Sequence, residues 1–206
     1  MKKATGFRWV IIALIFYITM VNFIDRSSIS YAIPYIQRDL HLTDGVAGLI
    51  LGVFGIGYAV TTLLGGIAVD RFGTKKIFTI TVCIWSVASI FTGLATGFMM
   101  LLIIRILLGV AEGPNFPALT RAISDWLPER ERVRALSLTI IAVPISLAVG
   151  GPIVSFLITH TSWRSMFFIT GAISLLWVPL WLWLFRDFPE QSKYVSSKED
   201  QVRIVL

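Results

Sequence analysis

Four ionisable residues lie inside long apolar stretches of this sequence, where charge is costly. Asp25 and Arg26 are adjacent in VNFIDRSSIS, and Arg105 and Glu112 interrupt the apolar segment RILLGVAEGPNFP. Insertion scales assign about 2.5–3.5 kcal/mol to a charged side chain at the centre of a membrane helix, so four facing lipid would cost on the order of 10 kcal/mol. We therefore expect them to face one another or a water-filled cavity, which is typical of a transport pathway.

The spacing of these charges suggests how they could act together. Arg105 and Glu112 are seven residues apart, so both should project from one helix face, about 10 Å apart along the axis. Two acids and two bases sum to zero charge, and protonation of Asp25 or Glu112 would leave one guanidinium free. A planar guanidinium suits a carboxylate. The residues thus predict proton-coupled symport of a small organic anion, with a purely structural cluster of ion pairs as the alternative.

Composition indicates the elements that position these charges. Hydrophobic residues make up 56% of the 206 and charged residues 15%, whereas soluble domains carry about 25% charged residues. Six apolar stretches have the roughly 20 residues needed to cross a bilayer. They lie near 9–35, 46–69, 77–96, 99–122, 135–159 and 164–185. We predict an all-α membrane protein, a six-transmembrane-helix bundle over 1–185. A polar linker over 186–206 should follow, and its end, QVRIVL, is compatible with the start of an amphipathic helix.

Basic residues favour one orientation of this bundle. Lysines and arginines concentrate before the first span, between spans 2 and 3, between spans 4 and 5, and after span 6. Because basic loops stay on the cytoplasmic side, both termini are predicted to be cytoplasmic in a multi-pass protein of the plasma membrane, the inner membrane of a bacterium. The net charge of +6 is then a signal of topology. We expect the lipid bilayer, and no nucleic acid, as a partner.

Catalytic and metal chemistry are not indicated. Cys83 is the single cysteine and falls within span 3, so a disulfide within the chain is excluded. His41 and His160 fall in separate loops without neighbouring ligands, so neither a metal site nor a cofactor is predicted. No nucleophile, base and acid lie at one depth, and the chain is not expected to be an enzyme.

The connection between spans 2 and 3, GGIAVDRFGTKK, combines an acid with several bases in a short turn. A solvated basic loop explains the lysines but not Asp70, and Gly73 suits a backbone conformation that other residues resist. The segment resembles the signature loop of the major facilitator superfamily, G-x-x-x-D-R-x-G-x-K/R-K/R. The matching residues are Gly66, Asp70, Arg71, Gly73, Lys75 and Lys76. In that family the loop helps to hold a cytoplasmic gate closed. Glu131 and Arg132, in the charged loop predicted at 125–136, are compatible with the same gate network.

Three further motifs resemble the anion:cation symporter branch of this superfamily, which includes carriers of sugar acids. They are N-x-x-D-R in span 1, R-x6-E-x-P-x-F-P in span 4 and W-x-P-x-x-E-R at 126–132. The resemblance implies that Asp25 and Glu112 carry protons, and that Arg26 and Arg105 bind the substrate carboxylate. It also implies that the six spans are the N-terminal half of a major facilitator fold, with 3+3 inverted repeats. The C-terminal six-helix half is then an expected partner.

Uncharged groups near the charges could bind the rest of a substrate. Tyr58 matches a family position that contacts substrate. Asn22 shares a helical face with Asp25 and Arg26, and Asn115 lies one turn beyond Glu112. Either amide could bind hydroxyl groups or pack between helices. Sugar-acid carriers tend to place amides in the middle of helix 5, whereas residues 138–149 are LTIIAVPISLAV. This less polar wall leaves room for a less hydroxylated acid.

Two other functions remain open from the sequence. Drug–proton antiporters typically show G-x3-G-P-x-x-G-G in helix 5. Here Gly151 and Pro152 match the central pair, but Ser155 and Phe156 stand in place of the last two glycines. A membrane receptor or a partner subunit that does not itself transport is the second alternative.

Overall fold

The computed structural model describes residues 6–195, which form eight α-helices and a short 3-10 turn at Pro189–Gln191. The helices are α1 (Phe7–Leu40), α2 (Asp44–Phe72), α3 (Thr74–Gly93), α4 (Phe98–Glu112), α5 (Asn115–Trp126), α6 (Glu129–Ile140), α7 (Ala142–His160) and α8 (Trp163–Leu184). Within residues 6–195 there is no strand. The amphipathic helix start predicted in QVRIVL and the end of the predicted linker lie outside the described residues.

Six helical segments in the described chain are long and apolar enough to cross a membrane, which confirms the predicted all-α bundle. Four of them are the single helices α1, α2, α3 and α8, and two are the consecutive pairs α4–α5 and α6–α7. The first, second, fourth and fifth segments extend beyond their predicted limits; α1, for example, covers 7–40 where 9–35 was predicted. The added residues are polar ends that hydropathy alone does not assign to a helix.

Two of the segments contain a helix break close to a proline. Gly113 and Pro114 separate α4 from α5, and both keep the right-handed helical conformation, so the segment keeps its direction. Ile141 separates α6 from α7 and lies three residues before Pro144. A proline lacks the N–H that a helix needs and its ring crowds the carbonyl four residues earlier. The first break makes Glu112 the last residue of α4.

The two charged segments predicted as loops are largely helical. Residues 65–72 belong to α2, and Gly73 alone separates α2 from α3. Its φ of +85° lies in the region that favours glycine, as expected. The segment 125–136 was wrongly predicted to be a loop, because it is helical except at Leu127 and Pro128. Acidic residues in the first turn of α6, Glu129 and Glu131, favour the helix by opposing the positive end of its dipole.

Glycines bring α2 into close contact with α4. A Cβ atom on Gly57 would lie 2.7 Å from the carbonyl oxygen of Ile106. A Cβ atom on Gly109 would overlap the backbone oxygen of Phe54 and lie 2.9 Å from the backbone nitrogen of Tyr58. The space beside Gly109 is therefore filled by α2. This approach places the aromatic side chains of α2 against the charged face of α4.

Aromatic rings lock α3 and α8 together. The rings of Trp177 and Trp181 stack with their centroids 4.8 Å apart, Trp181 stacks on Phe185 at 3.9 Å, and Phe78 of α3 lies 5.1 Å from Trp181. All four side chains are buried. The pair α3–α8 is thus tightly packed, and α1 packs against α8. We call the end of the bundle defined by Phe7, Gly73 and Phe185 the proximal end.

Candidate functional site

A salt bridge joins α1 to α4 inside the bundle. Arg26 donates hydrogen bonds from Nε and Nη2 to the same oxygen of Glu112, Oε2, at 2.9 and 2.8 Å. The Glu112 side chain is 1% exposed and that of Arg26 is 23% exposed. Two of the four charges singled out from the sequence therefore pair directly, across 86 residues of chain.

Aromatic rings surround the guanidinium of Arg26. Its Cζ lies 4.4 Å from the ring centroid of Tyr58 and 4.9 Å from those of Phe23 and Phe54. A guanidinium over an aromatic face is attracted by about 0.5–2 kcal/mol, more when water is excluded. Sequence reasoning named Tyr58 but missed both phenylalanines. Their positions, three residues before Arg26 and four before Tyr58, put them on the same helix faces and could have indicated them.

Arg105 is the least satisfied of the four charges. It is 5% exposed, and its Nε has no hydrogen-bond partner among the described residues. Its Cζ lies 4.8 Å from the ring centroid of Phe54, which also contacts Arg26. Asp25 and Glu112 act on it electrostatically without forming an ion pair with it. A buried donor without a partner is rare in proteins and marks a position that calls for a physical explanation.

Asp25 faces a different part of the bundle from Arg26. It is 3% exposed and accepts a hydrogen bond from Ser89 Oγ of α3 at 2.6 Å. Consecutive residues on a helix point about 100° apart, so Asp25 and Arg26 cannot share a direction. The four charges therefore do not form one cluster of ion pairs in the described chain. They form one pair at Arg26–Glu112, with Asp25 and Arg105 held separately.

A cavity of about 160 Å³ lies beside the Arg26–Glu112 pair. Four of the five residues predicted to bind substrate line it, namely Asn22, Arg26, Tyr58 and Asn115. The fifth, Arg105, does not line this cavity. The walls come from α1, α2, α5, α6 and α7, so the break between α6 and α7 lies at its edge.

Two buried amides leave hydrogen-bonding capacity at the cavity wall. Asn115 Nδ2 donates to Asn22 Oδ1 at 3.4 Å, while Asn22 Nδ2 and Asn115 Oδ1 have no partner among the described residues. The wall from residues 138–149 contributes Thr139, Ile140 and Val143. The Thr139 hydroxyl donates to the carbonyl of Ala135, so that wall offers an approaching molecule an acceptor and aliphatic surface.

At the proximal end, the signature motif is linked to α5. Asp70 Oδ1 accepts from Arg121 Nη1 at 2.9 Å, and Arg121 Nε donates to Asp125 Oδ2 at 2.9 Å. Arg121 was missed by sequence reasoning, although its spacing from Asp125, i to i+4, is typical of an ion pair on a helix. Gly66 and Asp70 line an open groove of about 310 Å³ between α2 and α5.

The other predicted gate residues lie around the same end. Glu131 Oε2 accepts from Arg8 Nε at 2.9 Å, and Arg132 Nε donates to the carbonyl of Leu127 at 3.1 Å. The cationic groups of Arg71 and Lys76 lie 5.5 and 5.7 Å from the ring centroid of Phe72. Within residues 6–195 no three His, Cys, Asp or Glu side chains group in a way that could hold a metal ion.

The segment after α8 returns to the α2–α3 connection. Asp187 Oδ1 accepts from the backbone N–H of Lys75 at 2.7 Å, and Lys75 Nζ donates to the carbonyl of Leu182 at 2.9 Å. A Cβ atom on Gly73 would lie 3.1 Å from Asp187 Oδ2. Asp187 therefore caps the beginning of α3 from a distance of 112 residues along the chain, which no local pattern could indicate.

Comparison with known proteins adds a family match. A family model described as Major Facilitator Superfamily matches residues 15–206. The chain is 37% identical to a hexuronate transporter of Bacillus subtilis, over 88% of this chain and 43% of that protein. It is 34% identical to a probable sulfoacetate transporter of Cupriavidus necator, over 98% of this chain and 47% of that protein. A D-galactonate transporter of Escherichia coli is 30% identical, over 95% and 46%. The chain spans less than half the length of these relatives.

Solved structures share the arrangement of helices. A bacterial homolog of the human lysosomal transporter Spinster, in an inward-facing and occupied conformation, matches with a TM-score of 0.78 at 25% identity, over 88% of this chain and 45% of that chain. The inward-open xylose transporter XylE of Escherichia coli matches with a TM-score of 0.74 at 19% identity, over 89% of this chain and 49% of that chain. At this identity the match indicates a shared fold alone. The described helices thus correspond to about half of a larger helical fold.

Proposed function

Because this chain belongs to the major facilitator superfamily, whose model matches residues 15–206, we propose that it forms the N-terminal half of a proton-coupled symporter for a small organic anion. The transporting unit includes a second six-helix half, which residues after 185 join to the first. Both ends of this chain are cytoplasmic, and the membrane is the bacterial inner membrane. The relatives named above are transporters, in agreement with the prediction that the chain is not an enzyme.

The observation that carries this proposal is the Arg26–Glu112 pair at the cavity wall. Arg26 lines the cavity while Glu112 is buried behind it. A guanidinium held by an internal carboxylate has no net attraction for an external anion. When Glu112 takes a proton, the ion pair with Arg26 is lost and the positive charge of Arg26 is left uncompensated at the cavity. A substrate carboxylate then replaces Glu112 as its partner.

Geometry around Arg26 favours such an exchange of partners. Tyr58, Phe23 and Phe54 hold the guanidinium in place, so little side-chain ordering is needed when the partner changes. Arg26 uses both donors on one oxygen of Glu112, whereas an incoming carboxylate can accept one donor on each of its two oxygens. Arg105, buried behind Phe54, adds positive potential that favours the anion.

Asp25 is proposed as a second proton carrier. It is buried against α3 and α8 and acts electrostatically on Arg105 and Glu112. Neutralising Asp25 would remove a negative charge from behind the site. The negative charge of the bound substrate would then replace the negative charge that the acid loses when it takes a proton. The anion and the proton would therefore enter together.

The class of substrate follows from the polar groups of the wall. Asn22 Nδ2 and Asn115 Oδ1 offer one donor and one acceptor, which a single hydroxyl group can satisfy together because it both accepts and donates. The wall of Ile140 and Val143 gives no further donors. We therefore propose a compact acid with few hydroxyl groups. The named substrates of the relatives, hexuronate, sulfoacetate and D-galactonate, span the range from many hydroxyls to none.

Asp70, Arg121 and the groove beside Gly66 are proposed as this half's part of the cytoplasmic gate. The pair is exposed, with side chains 67% and 47% accessible, so it would be stabilised by a covering second half. Exposed ion pairs contribute about 0–1 kcal/mol, which suits a contact that must open in every cycle.

Uptake by the chain joined to its second half, reconstituted in liposomes, tests the proposal. Under an inwardly directed proton gradient, glucuronate, sulfoacetate and galactonate are supplied outside the liposomes in turn. A lipophilic organic cation, which represents the rival class, is loaded inside them. Accumulation of one or more acids supports the symporter. Proton-driven export of the cation would favour the antiporter instead. Binding without movement of any compound would favour the non-transporting subunit or receptor.

A further inference from the structure

Ser89 differs from the two buried hydroxyl residues nearest to it on α3, Ser86 and Thr92. Ser86 Oγ donates to the carbonyl of Val82 at 2.7 Å, and Thr92 Oγ1 donates to the carbonyl of Ala88 at 3.0 Å. This return to the carbonyl one turn earlier is the usual bond of a serine or threonine inside a helix. Ser89 Oγ instead donates to Asp25 Oδ1 of α1 at 2.6 Å.

A second hydroxyl, that of Thr170, lies beside Ser89 and also acts on the carboxyl of Asp25. Thr170 Oγ1 of α8 is 3.4 Å from Ser89 Oγ and donates to the carbonyl of Phe167 at 3.3 Å. Ser89 is 1% exposed and Thr170 is 5% exposed. Three helices therefore contribute to one small cluster of polar groups, in which the carboxyl of Asp25 meets two hydroxyls and Thr170 donates in turn to a backbone carbonyl.

Charged groups act on Asp25 from another direction. Arg105 of α4 attracts it without forming an ion pair, and the carboxylate of Glu112, also on α4, repels it. On its own helix Arg26 is turned to the cavity and bonded to Glu112. The sides of Asp25 that face α3 and α8 meet Ser89 and Thr170. Ser89 is thus the group that contacts the Asp25 carboxyl most closely.

We propose that Ser89, supported by Thr170, is a positioning residue that sets the pH range over which Asp25 exchanges its proton. The inference rests on the proton-carrying role given to Asp25 in the proposed function. A hydroxyl can donate or accept. With Asp25 ionised, Ser89 donates to it. With Asp25 protonated, its O–H donates to Ser89, whose own hydrogen turns to Thr170. Neither state leaves a buried polar group without a partner, which would otherwise be costly.

The two arrangements are not equal in strength. A hydrogen bond to an ionised carboxylate is roughly twice as strong as one between neutral groups. Ser89 therefore stabilises ionised Asp25 more than protonated Asp25. Without the hydroxyl, Asp25 should hold its proton to a higher pH, by about one pH unit for the loss of one charge-assisted bond.

Infrared titration of the protein in lipid nanodiscs tests this directly. The carboxyl absorption that disappears in Asp25→Asn is followed against pH in the unchanged protein, in Ser89→Ala and in Ser86→Ala. The control residue Ser86 lies one turn away on the same helix, is equally buried, and bonds only its own backbone. We expect the titration midpoint of Asp25 to rise by about one pH unit in Ser89→Ala and to stay unchanged in Ser86→Ala.

Two further variants keep the test informative if Ser89→Ala does not fold. Ser89→Cys retains a weaker donor at the same position, and should raise the midpoint by less than Ser89→Ala. Ser89→Thr restores a hydroxyl and should return the midpoint toward that of the unchanged protein. The inference is overturned if Asp25 has the same titration midpoint in Ser89→Ala as in Ser86→Ala. If Ser89→Ala does not fold, the same comparison is made with Ser89→Cys.

Transport separates this inference from the proposed function. If both hold, the pH of half-maximal anion uptake moves with the infrared midpoint of Asp25 in Ser89→Ala. An infrared shift without any change in the pH profile of uptake supports the Ser89–Asp25 link and removes Asp25 from proton coupling. No infrared shift, with uptake still driven by a proton gradient, overturns the role of Ser89 and leaves the symporter intact.

Discussion

Arg26 places two nitrogens, Nε and Nη2, on a single oxygen of Glu112, Oε2, at 2.9 and 2.8 Å. Arginine binds a carboxylate most strongly when it places one donor on each of the two carboxylate oxygens. Arg26 does not have this arrangement with Glu112. Glu112 is buried and ends α4 just before the Gly113–Pro114 break, whereas Arg26 reaches the cavity. Arg26 is therefore paired with a residue of the protein, yet a carboxylate in the cavity can reach it from one side.

Replacing Glu112 by glutamine should separate coupling from substrate movement. The amide cannot exchange a proton, and it accepts from Arg26 without the negative charge of a carboxylate. We expect Glu112→Gln to abolish accumulation driven by a pH gradient while exchange of internal for external anion continues. Accumulation and exchange are each measured as a flux of isotope-labelled anion into liposomes. The control is Glu129→Gln, because the side chain of Glu129 is 81% exposed. Persistent gradient-driven accumulation in Glu112→Gln would exclude Glu112 as the coupling residue.

The ring of Tyr58, rather than its hydroxyl, should matter for anion binding. Its face lies 4.4 Å from Arg26 Cζ, and Phe retains that contact whereas Ala does not. We expect Tyr58→Ala to raise the anion concentration for half-maximal uptake about tenfold, since such a contact is worth about 0.5–2 kcal/mol. Tyr58→Phe should stay within about twofold of the unchanged protein on the same grounds. A large effect of Tyr58→Phe would instead indicate that the hydroxyl binds the substrate.

Gly109 should tolerate no side chain. Its Cβ position overlaps the backbone oxygen of Phe54, and helix backbones cannot yield as flexible side chains do. We expect Gly109→Ala to destabilise the bundle by about 1–3 kcal/mol, as overpacking does. Gly52→Ala, with nothing within 4 Å of its Cβ position, should be neutral. Thermal unfolding in detergent compares the two, and equal midpoints would contradict the close approach of α2 and α4.

Asp187 should protect the beginning of α3. Its carboxylate accepts from the backbone N–H of Lys75 at 2.7 Å. Loss of a capping acceptor costs about 1 kcal/mol, so Asp187→Ala should speed hydrogen exchange at the Lys75 amide about fivefold. Asp187→Asn keeps an acceptor oxygen and should remain close to the unchanged protein. If exchange at Lys75 is the same in all three proteins, Asp187 does not cap α3.

Hydropathy and motif spacing were sufficient to predict the six spans and their family, because the bilayer limits helix length and composition so strongly. The helical nature of 125–136 was not predicted, because Pro128 interrupts the helix while the residues on either side still favour it. Polar residues such as Glu129 and Glu131 indicate a loop by hydropathy alone, but they stabilise the first turn of α6.

The charged residues were identified from the sequence, but their partners were not. The charged side chains of Arg26 and Glu112 and their positions inside apolar spans predicted that the two would be buried near each other. An unpaired charge that faces lipid is costly. The acid that pairs with Arg26 depends on how α1 is rotated about its axis relative to α4. The helical periodicity of the sequence does not determine that rotation. Ser89 and Asp187 were missed for a related reason. Their partners lie 64 and 112 residues away, and serine and aspartate at those positions match ordinary packing and linker residues.

The most direct test of the account is simultaneous measurement of proton and anion entry into liposomes that contain the chain joined to its second six-helix half. An inward gradient of the transported acid is imposed with no initial pH difference, and a trapped pH-sensitive dye reports the interior. We predict that the interior acidifies in step with uptake of the labelled anion, and that Glu112→Gln abolishes the acidification while anion exchange continues. Anion entry without acidification in the unchanged protein would contradict proton coupling at Glu112.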